Sequence, residues 1–390
     1  MNKTINIGIV TGTRAEYGLL SRTIELLQKD ERFQVYIFAC GTHLSPEFGY
    51  TVTELEKNGV KNIIPIEMLM SSASRVGIAK SVGIATMSFA DAFSRQKLDA
   101  IMVLGDRYEI LAAAQTAMFL DICLIHIHGG EVTEGAFDDA IRHSITKMAN
   151  IHFPTTDEFA KRIRQLGESG DSIFTVGSPG VDNIINVPRM TKLELEDSLG
   201  FDLNGTLALI TYHPVTKAKD STENDIEPLI KAIKNNPQLI YIITYPNADG
   251  GGNEIIEQWE SISNLKNVKI VPSLGFLRYL SLMELVECVI GNSSSGIIEA
   301  PSFNVSTINI GSRQHGRPRA LSVIDVEMNK DSISKAIHRS CSLNFKESIK
   351  NTINPYGQGG SALIIVDLLS KFDYPSFKLK KFTDLKINEK

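Results

Sequence analysis

Apolar, β-branched runs alternate with stretches of helical periodicity along almost the whole chain. The runs fall at 5–11, 35–40, 100–104, 122–127, 173–176, 207–211, 239–244, 268–271, 286–290 and 305–310. Between them Ile226, Leu229, Ile230 and Ile233 stand at i, i+3, i+4 and i+7, and Phe159, Ile163 and Leu166 at i, i+4 and i+7. Each set lines one side of a helix. Strands joined by helices of this length pair in parallel, and both sheet faces are covered. The chain is therefore predicted to be α/β. So many strands exceed a comfortable single sheet, and 390 residues exceed one ordinary domain. Two Rossmann-like domains are expected.

The best boundary is Val176-Gly177-Ser178-Pro179-Gly180, where glycines flank a proline just after a strand. It predicts an N-terminal domain over 1–178 and a C-terminal domain over 179–360. A second break, Asn354-Pro355-Tyr356-Gly357-Gln358-Gly359-Gly360, precedes a last helix, so 361–390 is expected to be that helix plus a loose, lysine-rich tail. The four cysteines lie far apart with no metal-ligand spacing, which predicts free, buried thiols in a reducing cytosol. No leader pattern opens the chain, and no apolar run reaches the ~20 residues of a bilayer span. A cytoplasmic protein without a membrane partner is expected. The formal net charge of −5, with signs mixed, argues against nucleic acid as a partner.

Chemistry-bearing residues crowd the predicted carboxyl ends of strands, where open α/β sheets bind ligands. The stretch 105–147 is the richest. Gly105-Asp106-Arg107 ends one strand and His126-Ile127-His128-Gly129-Gly130-Glu131 the next, and Asp138, Arg142 and His143 follow on a helix. Acids and histidines at this density suit proton transfer better than packing. Gly12-Thr13-Arg14-Ala15-Glu16 opens a helix after the first strand, where free backbone N–H groups and Arg14 form an anion site, or where Arg14 is merely solvated. Tyr212-His213-Pro214 closes another strand, with His213 able to bind phosphate or to move protons. Gly291-Asn292-Ser293-Ser294-Ser295 begins a further helix whose serines suit a diphosphate, with Glu299 about two turns in and able to reach a ribose. Arg313 follows the next strand and can neutralise the same anion.

Gly357-Gln358-Gly359-Gly360-Ser361-Ala362 matches a dinucleotide fingerprint in letters only, since no strand precedes it. No nicotinamide, other cofactor or metal is expected.

These segments jointly resemble the hydrolysing UDP-N-acetylglucosamine 2-epimerases of sialic acid biosynthesis, in order, over roughly residues 3–372. The resemblance implies a GT-B fold with two Rossmann-like domains facing a central cleft, and a last helix that crosses back to the first domain. It implies conversion of UDP-N-acetylglucosamine and water to N-acetylmannosamine and UDP, through elimination to 2-acetamidoglucal and hydration. Relatives of the same kind act on UDP- or GDP-linked 2,4-diacetamido-2,4,6-trideoxy sugars of the bacillosamine type, on the way to legionaminic acid. Carried over by position, Arg14, His213, Ser293, Ser294, Glu299 and Arg313 hold UDP, with Asn247 lining that side. Asp106 and Asp138 are the acid/base carboxylates, and Glu131 lies close by. His128 departs from members that place a glutamate there. Either it takes over a proton transfer, or Glu131 supplies the carboxylate, or it only orders the loop. Homodimers or homotetramers are implied. A GT-B glycosyltransferase would share the nucleotide side but not the carboxylate-rich one, and a non-catalytic nucleotide-sugar sensor would need no carboxylates.

Overall fold

The computed structural model describes residues 4–70, 74–132, 137–215, 225–246 and 252–385. The chain divides into two compact units. Met1–Glu131, Phe137–Asn183 and Gly359–Lys390 form the first, and Ile184–Gln358 makes up the bulk of the second. The helix Pro179–Asn186 carries the chain out of the first unit.

In the first unit the strands are β1 (Ile5–Thr11), β2 (Phe33–Cys40), β3 (Ile63–Ile66), β4 (Ala100–Leu104), β5 (Cys123–Ile127) and β6 (Ile151–Phe153). They pair in parallel in the order β3-β2-β1-β4-β5-β6. The second unit has β7 (Thr206–Thr211), β8 (Leu239–Thr244), β9 (Val268–Val271), β10 (Cys288–Gly291), β11 (Ser306–Ile310) and β12 (Val323–Val326), in the order β12-β11-β10-β7-β8-β9. Strand order therefore reverses between β1 and β4 in one sheet, and between β7 and β10 in the other. Those reversals open a crevice at the carboxyl ends. Each sheet is covered on both faces. Ile7, Ile9, Met102 and Ile125 face one core of the first unit, and Val10, Phe38, Ile101 and Val103 the other. This explains why the strands read as unbroken apolar runs.

Residues 173–176, expected as a strand, form only an isolated bridge between Ile173 and His152. Phe174 and Val176 donate to the carbonyls of His152 and Pro154, so the segment runs along β6 without becoming a ladder. Strands β3, β6 and β12 fall outside the expected runs, being short and interrupted by Pro65, His152 and Asp325 respectively. Helix Arg75–Ser94 also departs from expectation. Among the described residues it alone is long and apolar enough to cross a membrane by length and composition. Its valines, isoleucines, alanines and phenylalanines raise the apolar average, and Ala85, Phe89 and Phe93 are buried in the core beside helix Tyr108–Phe119.

Helix Ser361–Lys371 packs on helix Arg14–Lys29. Its first amides, of Ser361 and Ala362, donate to the Asp182 carboxylate at 2.9 and 2.6 Å. A chain carboxylate thus fills the helix start that the glycine-rich letters advertised. The tail is docked, not loose, as far as it is described. Lys380 reaches the carbonyls of Lys147 and Ala149 and the Glu168 carboxylate, and Thr383 donates to Gly167. Phe382 lies on Gly167, where any β-carbon would stand 2.3 Å from its ring. Although burial opposes it, hydrogen bonds from His152, Lys147 and Lys380 hold Glu168 down to about 2. Cys40, Cys123 and Cys288 are buried, and all four cysteines are free.

Candidate active site

At the end of β4, Gly105 takes a positive φ of 81° and turns Asp106 off the sheet. The guanidinium of Arg142, on helix Phe137–Met148, donates to Asp106 Oδ2. Arg142 is 5% exposed, yet its Nε and Nη1 have no partner. Buried donors are seldom left so. Asp138 sits one turn before Arg142, the spacing that places both on one helix face.

His126 ties these two elements together. One ring nitrogen lies 2.8 Å from the Gly105 carbonyl and the other 3.1 Å from the Thr146 hydroxyl, on the same helix as Arg142. A carbonyl only accepts, so Nε2 carries the hydrogen. Burial holds the ring neutral, down to about 3, and Nδ1 then accepts from Thr146. The backbone crosses this pair at Gly129, where a β-carbon would stand 3.0 Å from both His126 Nδ1 and Thr146 Oγ1. That close approach favours glycine.

His128 follows β5 with a φ of 64°, rare for a residue with a side chain. Its Nδ1 lies 2.7 Å from Glu131 Oε1, which also accepts from Thr155 Oγ1 at 3.2 Å. The carboxylate fixes the hydrogen on Nδ1 and leaves Nε2, which has no partner, with its lone pair. A buried carboxylate thus orients a histidine whose far nitrogen is bare, an arrangement suited to proton transfer. The contact joins two of the alternatives, since the histidine able to move a proton and the nearby carboxylate meet directly.

The Gly12–Arg14 turn differs from expectation. The Gly12 N–H is not free for an external anion: Glu16 Oε2 accepts it at 2.6 Å. Arg14 pairs with Glu54 at 3.0 Å, both side chains being exposed. Beneath the turn lies Glu109, 1% exposed, with Arg107 Nε 2.6 Å away. Nothing in the letters signals that Glu16 and Glu109 converge, beyond two acids near strand ends.

In the second unit, His213 follows β7 and Asn292 follows β10. The fully buried Asn292 side chain accepts from His213 N at 2.7 Å and donates to His213 O at 2.8 Å. Its own carbonyl accepts from Arg313 Nη1 at 3.0 Å and Gln314 Nε2 at 2.8 Å. Asn292 therefore joins the ends of β7, β10 and β11. Gly291 makes this possible, since a β-carbon there would stand 2.0 Å from the Thr211 carbonyl. Burial first, then the Arg313 charge, lowers His213 to about 4, so it is neutral near pH 7. Ser293 caps helix Ser294–Ile298, accepting from Ser295 N. That helix has only five residues, so Glu299 lies just past its end instead of two turns in. Burial pushes Glu299 up to about 7. Asn247 lies outside the described residues. Among the described residues, no group of acids, histidines and cysteines could hold a metal ion.

Residues 25–370 match the family model described as UDP-N-acetylglucosamine 2-epimerase. The chain belongs to this family. It is 40% identical to the GDP/UDP-N,N'-diacetylbacillosamine 2-epimerase (hydrolyzing) of Campylobacter jejuni, over 88% of this chain and 89% of the relative. It is 37% identical to polysialic acid biosynthesis protein P7 of Escherichia coli, over 94% and 96%. Among solved structures it resembles the UDP-GlcNAc 2-epimerase of Neisseria meningitidis bound to UDP-GlcNAc, with a TM-score of 0.82, 20% identity, and coverage of 94% and 100%. The two parallel-sheet, Rossmann-like halves are those of GT-B-like epimerases.

Proposed function

We propose that this protein is a hydrolysing 2-epimerase of UDP-linked 2-acetamido sugars. The observation that carries the reading is the His128–Glu131 contact beside the Asp106–Arg142 pair. The C2 hydrogen of such a donor is not α to a carbonyl, so its removal must accompany departure of the diphosphate. A base takes the C2 proton, the C1–O bond breaks, and UDP leaves with the electron pair. The glycal then gains hydroxide at C1 and a proton at C2 on the opposite face. Inversion at C2 therefore needs two proton-transfer groups, one for each face. His128 Nε2 is one; Asp106 or Asp138 supplies the other.

His213, Ser293, Ser294, Glu299 and Arg313 take the nucleoside diphosphate, with Asn247 and Arg14 contributing. Departure of UDP demands stabilisation of the charge that develops on it, which neutral donors and the two arginines supply. For the sugar, the 40% identity to an enzyme named for N,N'-diacetylbacillosamine favours the 2,4-diacetamido-2,4,6-trideoxy donor over UDP-N-acetylglucosamine.

The test incubates purified protein with each donor in deuterated water and follows UDP and the free sugar by NMR. Deuterium at C2 of a released manno-configured sugar is expected, with the trideoxy donor turning over faster. Release of the sugar with its original C2 hydrogen would overturn the mechanism. UDP release only after an acceptor is added would make the protein a glycosyltransferase.

A further inference from the structure

Glu16 and Glu109 have no place in the chemistry above, yet both are nearly inaccessible, at 6% and 1% exposure. They converge on Gly12. Its N–H donates to Glu16 Oε2 at 2.6 Å, and a β-carbon on it would stand 2.6 Å from Glu109 Oε1. Gly41, on the other side, would place a β-carbon 3.3 Å from the same oxygen. Two glycines therefore make room for one carboxyl.

The charges around them do not balance. Arg107 pairs with Glu109 and Arg142 with Asp106, while Glu16 has only a backbone amide. The other titratable groups facing the pair are Cys40 on β2 and Tyr108 after Arg107. Neither brings a positive charge. Glu16 Oε1 and Glu109 Oε2 are both buried without a partner. One proton on Glu16 removes the excess charge and turns one of two orphan acceptors into a donor. Burial, then the Glu109 charge, pushes Glu16 up to about 8, in keeping with that arrangement.

We propose that Glu16 and Glu109 act as one buried carboxyl pair carrying a single proton, and that the pair positions the Gly12–Arg14 turn against the Gly105–Arg107 turn on which Asp106 stands. The inference rests on the reading of Asp106 as an acid/base group. When the proton leaves, two negative charges face each other across Gly12 and the turn bearing Asp106 shifts. Neither glutamate touches substrate; both are positioning residues.

The test compares the full-length wild type with Glu16→Gln, Glu16→Ala and Glu109→Gln. Thermal midpoints are read from about pH 5 to about pH 9, together with pH profiles of kcat and KM for UDP release. The folded wild type keeps a proton that the unfolded chain gives up, so its midpoint should fall as pH rises from about 4.5 to about 8. Glu16→Gln, a fixed neutral mimic, should lack that fall, and Glu109→Gln should shift it to lower pH. Glu16→Ala should lose roughly tenfold in kcat with little change in KM, and Glu16→Gln should recover most of it without the alkaline decline. In infrared spectra the wild type should show a protonated carboxyl band near neutral pH that is missing in Glu16→Gln. An unchanged midpoint profile in Glu16→Gln, or no such band, overturns the proposal. Midpoints and spectra need no substrate, so they decide the pair even if neither donor turns over.

Discussion

At the end of β4 an aspartate meets a guanidinium, and after β5 a histidine meets a carboxylate. At the ends of β7 and β10, by contrast, an uncharged asparagine side chain clasps the backbone of a neutral histidine. The two sheets share one parallel topology with a reversal at the middle. What differs is the kind of group carried past the strand ends. On the proposed reading the first set, with a histidine nitrogen left bare beside carboxylates, moves protons. Neutral donors fixed by backbone contacts can bind an anion without reorganising. On that reading a single topology serves two tasks, because the sheet fixes only where side chains emerge.

The largest expected effect is at the charged side. Asp106→Asn should lower the rate of UDP release by about 10²–10⁴-fold, the usual weight of a positioned acid or base, with the melting curve nearly unchanged. Retained turnover would show that the charge pairing there is structural. His128→Asn should fall within the same span. Glu131→Gln should cost less and alter the pH profile, because the ring keeps a partner but loses its fixed tautomer. If Glu131→Gln matched His128→Asn with no change in profile, the two would not act as a unit.

On the neutral side, Asn292→Ala leaves a buried N–H and carbonyl of His213 unsatisfied. Loss of about 1–3 kcal/mol of stability is expected in chemical denaturation, with a raised KM. A normal midpoint would mean that the clamp is dispensable. His213 tests the electrostatic half of the comparison. Burial and Arg313 lower it to about 4, so the folded chain holds fewer protons than the unfolded one between about 4 and 6.5, and stability falls as pH drops through that window. Bound diphosphate favours the charged ring and should draw in a proton, so affinity for UDP should rise as pH falls. Calorimetry in buffers of different ionisation enthalpy should show proton uptake that His213→Gln reduces. The smallest effect should be Arg14→Ala. Its pair with Glu54 is exposed and should add no more than about 0.5 kcal/mol to stability, so any large change in KM would report contact with ligand.

Much of this was legible because parallel strands buried on both faces leave long apolar runs, and because glycines mark their ends. The runs for β1, β4, β5, β7, β8 and β10 overlap the observed strands closely. Strands Ile63–Ile66 and Ile151–Phe153 do not read as runs, since Pro65 and His152 interrupt their few apolar letters. The segment 173–176 misled for the opposite reason, being apolar because it lies along β6 without pairing as a strand. The docked tail was hidden too. Lysines read as solvated until Glu168 and two carbonyls are brought under Lys380.

Among the site residues, the sequence by itself determined which types stand at which strand ends, because alternation and punctuation are local. Tertiary structure alone decided the partners. It put Glu131 on His128, Arg142 on Asp106 and Asn292 on His213, and it closed the Gly12 amide with Glu16. Each contact joins atoms whose separation depends on strand order and on glycines that let backbone approach side chain. Neither is encoded in the spacing of the letters.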